Sequence, residues 1–509
     1  MTKAVHTARA VICVLTLTLC SSAAWAEVRL PAVFGDNMVL QQGVELPVWG
    51  TAGVDEEVTV SCSGKQMKAK ADAGGKWMVK LPAMQPGGPL EITIVGQNMI
   101  TLKNVLVGEV WVCSGQSNMA MVVKGCVNAD EEIAKAAFPK MRLFTVPGKP
   151  ADEPQNDCGG KWVECSPQTV GGFSATAFFF GRELHEKLNV PVGLINTSVG
   201  GTPAEAWTPI PAQKADPELA AIFAHWDKVI AEYPKALEKH KADMEKWKKA
   251  AAEAKAEGKP EPKPPRPPQG ATSSSRPGVL YNGMVAPLIP YGIRGAIWYQ
   301  GEANTGSPPK YQKLLPLMIG CWRQAWGQGD FPFLIVQLPN FMTRKGQPSE
   351  SKWAEFREVQ MKLALLVPKV GVSVNIDIGE ADNIHPRNKQ DVGKRLALNA
   401  LANTYGQKIE YLGPLYQSVK VDGDKAIVSF TRVAGGLVSK GDKLVGFAIA
   451  GDDKKFVWAD AKIEGETVVV SSKDVAKPAA VRYAWADNPD CNLYSKEGLP
   501  AAPFRTDAP

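Results

Sequence analysis

Histidine is scarce in this 509-residue chain, with five in all: His6, His185, His225, His240 and His385. No HExxH run and no CxxC pair occurs. A zinc site built from imidazoles or paired thiolates therefore has no framework here. Seven cysteines follow the first 26 residues: Cys62, Cys113, Cys126, Cys158, Cys165, Cys321 and Cys491. Their odd number and irregular spacing exclude a disulfide scaffold, although Cys158 and Cys165 flank a Gly-rich loop and are placed to pair. Past the first 26 residues no apolar run is long enough for a membrane helix. Basic excess is small, a formal net charge of +6. No basic cluster carries interleaved aromatics, which argues against a nucleic-acid partner.

What the chain does have begins with a leader. Lys3 and Arg9 give a basic start, Ala10 to Cys20 a short apolar core, and Ala24-Trp25-Ala26 a small-x-small cleavage site before Glu27. Residues 1–26 thus read as a signal peptide, and a periplasmic or secreted protein is expected. Leu17-Thr18-Leu19-Cys20 is a poor lipoprotein box, because a leucine precedes the cysteine. Fourteen tryptophans are many. They suit core packing first and sugar-stacking platforms second.

Texture divides the rest. Residues 27–107 carry short apolar runs punctuated by Gly, Asn and Asp, as in a small antiparallel sandwich. From Gly108 to about residue 408, strand-like and helix-like runs alternate. The strands are Glu109–Cys113, Val192–Asn196, Arg294–Tyr299, Phe331–Leu338 and Gly371–Asp377. The helices are Phe173–Leu188, Tyr311–Trp326, Lys352–Leu366 and Asn388–Tyr405. Such alternation predicts an α/β domain, a parallel sheet flanked by helices with its ligand site beyond the strand ends. Residues 210–276 interrupt it. Apolar residues at helical spacing, a break at Pro234 and a Pro/Ser-rich tail predict an inserted helical hairpin and linker. Residues 409–509 are β-rich again and predict a terminal sandwich.

The chemistry lies at the strand ends. Val112-Cys113-Ser114-Gly115-Gln116-Ser117 is an apolar strand breaking into small and polar residues, which presents Ser117. Far downstream, Asp382-Asn383-Ile384-His385-Pro386 sets a carboxylate three residues before an imidazole. His6 falls in the leader, and His185, His225 and His240 lie in helix-like stretches. His385 is left as the candidate base, with Asp382 to orient it. Attack on an ester by Ser117 creates an oxyanion that needs donors. Gly200 and Gly201, in Asn196-Thr197-Ser198-Val199-Gly200-Gly201, offer backbone N–H groups, the N–H of Ser117 another, and Gln300 a side-chain amide. This chemistry requires no metal or organic cofactor.

Four blocks extend the reading. Gly108-Glu109-Val110-Trp111-Val112-Cys113-Ser114-Gly115-Gln116-Ser117-Asn118-Met119 and Ile195 to Trp207 are the first two. Leu280-Tyr281-Asn282-Gly283-Met284 and Trp298-Tyr299-Gln300-Gly301-Glu302-Ala303-Asn304 are the others. With them the chain resembles the sialate O-acetylesterase family, a carbohydrate-esterase branch of the SGNH hydrolases. The resemblance covers most of the chain after the leader and omits the insertion. It implies a three-layer, flavodoxin-like SGNH-hydrolase fold and a serine O-acetylesterase acting on O-acetylated carbohydrate. It implies Ser117 as nucleophile, Gly200 or Gly201 as oxyanion donor, and His385 as base with Asp382. The chain has Gln300 where the SGNH pattern has asparagine, and related esterases can draw their acid from this block. Glu302 therefore competes with Asp382. An acetyl-xylan or other polysaccharide deacetylase, and a non-catalytic glycan-binding protein, are the alternative readings.

Overall fold

The computed structural model describes residues 27–507. The expected leader, residues 1–26, lies outside them. Seven strands make the central sheet: β1 (Met99–Gly115), β2 (Phe138–Thr145), β3 (Trp162–Cys165), β4 (Val192–Ser198), β5 (Gly295–Tyr299), β6 (Phe333–Val336) and β7 (Val370–Ser373). They lie in the order β7-β6-β5-β1-β4-β2-β3. Neighbours from β7 to β2 run parallel, and β3 closes the edge antiparallel. After β1 the chain lays β2 and β3 toward one edge, returns with β4 to the place beside β1, then builds β5, β6 and β7 outward on the other side. That reversal opens a crevice at the carboxyl end of β1.

Six helices matter: α1 (Ser117–Ala120), α2 (Ala175–Leu188), α3 (Ala220–Ala256), α4 (Pro308–Trp326), α5 (Lys352–Leu366) and α6 (Lys389–Asn403). Successive strand residues face opposite sides, and the buried clusters follow that alternation. Val112, Ala296, Trp298, Phe333 and Ile335 pack with Tyr311 and Leu314 of α4 and Phe356 of α5. Trp111, Cys113, Ile297, Tyr299 and Leu334 pack with Phe178 and Phe179 of α2 and with Val392 and Leu396 of α6. Helices thus cover both faces, and the strands read as continuous apolar runs for that reason. Helices α2 and α6 cross tightly at Gly393, where a Cβ would lie 2.5 Å from the Cβ of Phe179.

Local sequence sets the helix ends. Ser174 accepts the Ala177 N–H at 3.2 Å and Ser351 the Ala354 N–H at 3.0 Å. Asn388 accepts the Asp391 N–H at 3.1 Å. Each is a side-chain N-cap. Asn189 ends α2 in the left-handed region.

Strand β1 is 17 residues long and serves two units. Its first half pairs with Gly87–Val95 and Val39–Gln41 in the amino-terminal β region. Its second half pairs with β4 and β5. The division expected between Val107 and Gly108 falls inside this strand. At the other end of the chain, two four-stranded antiparallel sheets occupy the region after residue 409.

The structure corrects two expectations. Residues 210–276 hold no helical hairpin: α3 is one 37-residue helix that runs through Pro234. The return limb is extended chain. Trp247 Nε1 donates to Pro262 O at 2.8 Å, and Gly270 lies against the ring of Tyr233. Proline removes one donor, but good helix formers flank it and water can serve the released carbonyl. The second correction concerns Cys158 and Cys165. Both are buried free thiols, each pushed up to about 12 by burial. Among the tryptophans, Trp111, Trp207, Trp298 and Trp322 are fully buried core residues. Among the described residues no helix is long and apolar enough to cross a membrane.

Candidate active site

The site forms where β1 ends. Gly115 has φ +140°, and a Cβ there would sit 2.1 Å from the carbonyl oxygen of Tyr299 on β5. Only glycine lets the two strands close at this point. Gln116 follows, its N–H donating to Tyr299 O at 2.9 Å. Its Oε1 accepts from Ala303 N at 3.2 Å and Gly301 N at 3.4 Å. The turn is thereby fixed, and Ser117 opens α1 half-buried.

Gly200 stands beside it. A Cβ on Gly200 would fall 3.5 Å from the Cβ of Ser117, so the backbone of the β4 turn borders the hydroxyl-bearing residue. Val199 N–H donates to Gly115 O at 3.1 Å and secures that turn. Gly201 is exposed and left-handed, φ +72°.

His385 arrives on the loop between β7 and α6. Asn383 clasps its backbone: Oδ1 accepts the His385 N–H at 3.0 Å, and Nδ2 donates to His385 O at 2.9 Å. Glu380 accepts from Asn383 Nδ2 at 3.1 Å and from Arg387 N at 2.7 Å. Burial, reinforced by the positive charge of Lys389, lowers the imidazole pKa. Both effects favour the neutral ring, which is the form a general base needs.

Asn118 joins the two halves. Its Nδ2 donates to Ile384 O at 3.0 Å and to Glu302 Oε1 at 2.5 Å. Its Oδ1 accepts from Lys389 Nζ at 2.6 Å. The residue after Ser117 is thus bonded to the residue before His385. Glu302 Oε2 is buried without a partner, and burial raises the carboxyl pKa despite Asn118 and Lys389. Lys389 is fully buried, and burial brings its ammonium down to about 7. Its Nζ lies 5.1 Å from the centroid of the Tyr299 ring.

Two expected roles look different in this geometry. Gln300 is buried, and its Nε2 donates to Asn304 Oδ1 at 2.6 Å and Thr202 O at 3.3 Å. Both amide hydrogens are spent, so Gln300 braces the β5 and β4 turns and has no donor left for an oxyanion. Asp382 is exposed, and it is Asn383 that holds the histidine segment. Glu302 is engaged by Asn118 instead of the imidazole.

A family profile described as carbohydrate esterase, sialic acid-specific acetylesterase, matches residues 107–252 and 271–402. The chain belongs to this carbohydrate esterase family. The rat sialate O-acetylesterase is 30% identical over 94% of both chains. The human sialate O-acetylesterase is 29% identical over 94% of this chain and 92% of its own. A solved carbohydrate acetylesterase from Xanthomonas citri is 36% identical, with TM-score 0.80, over 94% of this chain and all of the other. The protein is an esterase, a sialate O-acetylesterase-like hydrolase. In this carbohydrate esterase, Gln116, Asn118, Asn383 and Lys389 join the expected residues at the site. Two of them adjoin Ser117 in the first block, and Lys389, four residues after His385, is the first residue of α6 in polar sequence.

Proposed function

We propose that the protein is an exported carbohydrate O-acetylesterase working through an acetyl-serine intermediate on a three-layer, flavodoxin-like SGNH-hydrolase scaffold. His385 takes the proton of Ser117 Oγ as that oxygen attacks the acetyl carbonyl. The carbonyl oxygen becomes an oxyanion facing the N–H groups of Ser117 and the Gly200–Gly201 turn. The tetrahedral intermediate collapses, and His385 returns the proton to the departing sugar hydroxyl. Water, deprotonated by His385, then attacks the acetyl-serine, and acetate leaves with Ser117 restored. Of the two carboxylates, Glu302 is committed to Asn118, which leaves Asp382, exposed in the histidine loop, to turn toward the imidazole when substrate binds.

The observation that carries this reading is the Asn118–Ile384 hydrogen bond, which seats the serine turn against the histidine loop. The test is hydrolysis of p-nitrophenyl acetate and acetylated sugars by Ser117→Ala and His385→Ala. We expect kcat/KM to fall about 10³-fold or more in each. Wild-type rates in both variants overturn the reading. Acetate release across O-acetyl sialic acids, acetyl-xylan and acetyl-mannan then identifies the sugar.

A further inference from the structure

We propose that Lys389 is a positioning residue of this esterase, acting through the side chain of Asn118 to hold the serine turn and the histidine loop in one arrangement. The proposal rests on the Ser117–His385 reading and goes beyond it. Lys389 opens α6, whose cap Asn388 and preceding loop carry the base. In its ammonium form Lys389 offers only donors, and Asn118 presents Oδ1 to it. The Asn118 amide nitrogen then faces two acceptors, Ile384 O and Glu302 Oε1. All three partners agree on one amide orientation. Donation to Oδ1 polarises the amide and strengthens both N–H bonds. A flipped amide would set oxygen against oxygen at Ile384 and leave the ammonium facing an NH₂ group.

The charge pattern is otherwise costly. A lysine with no exposed surface beside a carboxylate with one unpartnered oxygen is weak evidence for stability. A methionine in place of the lysine would fill much the same volume without that penalty. The groups facing Lys389 come from three places: Glu302 and Tyr299 from β5 and its following turn, Glu380 from the histidine loop that also carries exposed Asp382 and Arg387, and Cys126 from the loop after α1. Besides burial, the positive charge of Lys389 lowers the imidazole pKa. Its positive charge disfavours the imidazolium, so removing it raises the His385 pKa. At pH values on the acid limb Lys389 is itself protonated, since its own pKa is about 7. The acid limb of kcat/KM must then move to higher pH in Lys389→Met.

The experiment compares wild type, Lys389→Met and the double variant Lys389→Met/Glu302→Gln. The double variant leaves no buried charge alone and serves if the single variant fails to fold. The readouts are kcat and KM with p-nitrophenyl acetate, the pH profile of kcat/KM, and the rate of Ser117 labelling by a fluorophosphonate. We expect kcat and the labelling rate to fall on the order of 10²-fold, KM to change little, and the acid limb to move up. Unchanged kcat, labelling and acid limb in the folded variants overturn the positioning role and leave the Ser117–His385 assignment intact. Full activity in Ser117→Ala would instead end the assignment itself.

Discussion

Gly115 shows how tightly one position governs the site. It combines φ +140° with backbone contact to Tyr299, so any side chain there must push β1 from β5. We expect Gly115→Ala to destabilise the protein by about 3 kcal/mol or more, read as a lower urea midpoint, and to lower kcat in whatever folds. Ser117 and His385 are legible in the chain because their types and settings are chemically unusual: a serine at a strand end, a histidine in a loop among four others placed elsewhere. Asn118 and Lys389 are not. Asn388-Lys389-Gln390-Asp391 reads as a solvated helix start, yet the fold buries the lysine against Asn118 and the Tyr299 ring. Asp382 is favoured by its spacing from His385, yet sequence spacing does not fix which way a loop carboxylate points. Gln300 is legible as buried and polar, but its partners come from its own turn and from the turn after β4.

Elements with a clear period are readable within a few residues. Lys352–Leu366 forms as expected, and the expected helices at 173–188, 311–326 and 388–405 shift only at their ends. Strands β2 and β3 give no such signal. Phe138-Pro139-Lys140-Met141-Arg142 mixes proline and charge, and the buried Arg142 finds Glu164 across the edge pair at 3.3 Å. The insertion misleads for a different reason. Proline usually ends a helix, but at Pro234 the cost stays below what the flanking turns supply. Pro234→Ala should restore the missing donor and stabilise α3 locally by up to about 3 kcal/mol. Slower hydrogen exchange around residues 228–240 with unchanged ester hydrolysis is the expected result; faster exchange would contradict it.

Across the whole molecule, the esterase core is gripped from both ends of the chain. The carboxyl-terminal sheets are held by polar anchors. Arg357 of α5 is fully buried and donates to the carbonyls of Ala486 and Asp487. Asn340 Nδ2 donates to Asn488 Oδ1 at 2.8 Å, and Arg505 pairs with Glu358 at 2.9 Å. Burial lowers the Arg357 guanidinium to about 10, so it remains charged at neutral pH, with its two terminal nitrogens donating and Nε left without a partner. Arg357→Met should cost about 1–3 kcal/mol, because the half-buried Ala486 carbonyl loses its charged donor and Asp487 O keeps only the Phe341 N–H. Denaturant unfolding followed by tryptophan fluorescence would show an earlier midpoint; an unchanged midpoint would mean these anchors contribute nothing. The β-rich texture of both flanks is visible in the chain, whereas their attachment is not, since it depends on arginines that look ordinary in sequence.

Strand β1 has a consequence for ancestry as well as for shape. The same ribbon of backbone that walls the amino-terminal unit also ends two residues before Ser117, with no linker between them. Modules joined by linkers are shuffled by cutting between them. Here any recombination that replaced the front unit would have to splice inside a hydrogen-bonded ribbon and preserve its register to the residue, so the two parts are expected to have been inherited together.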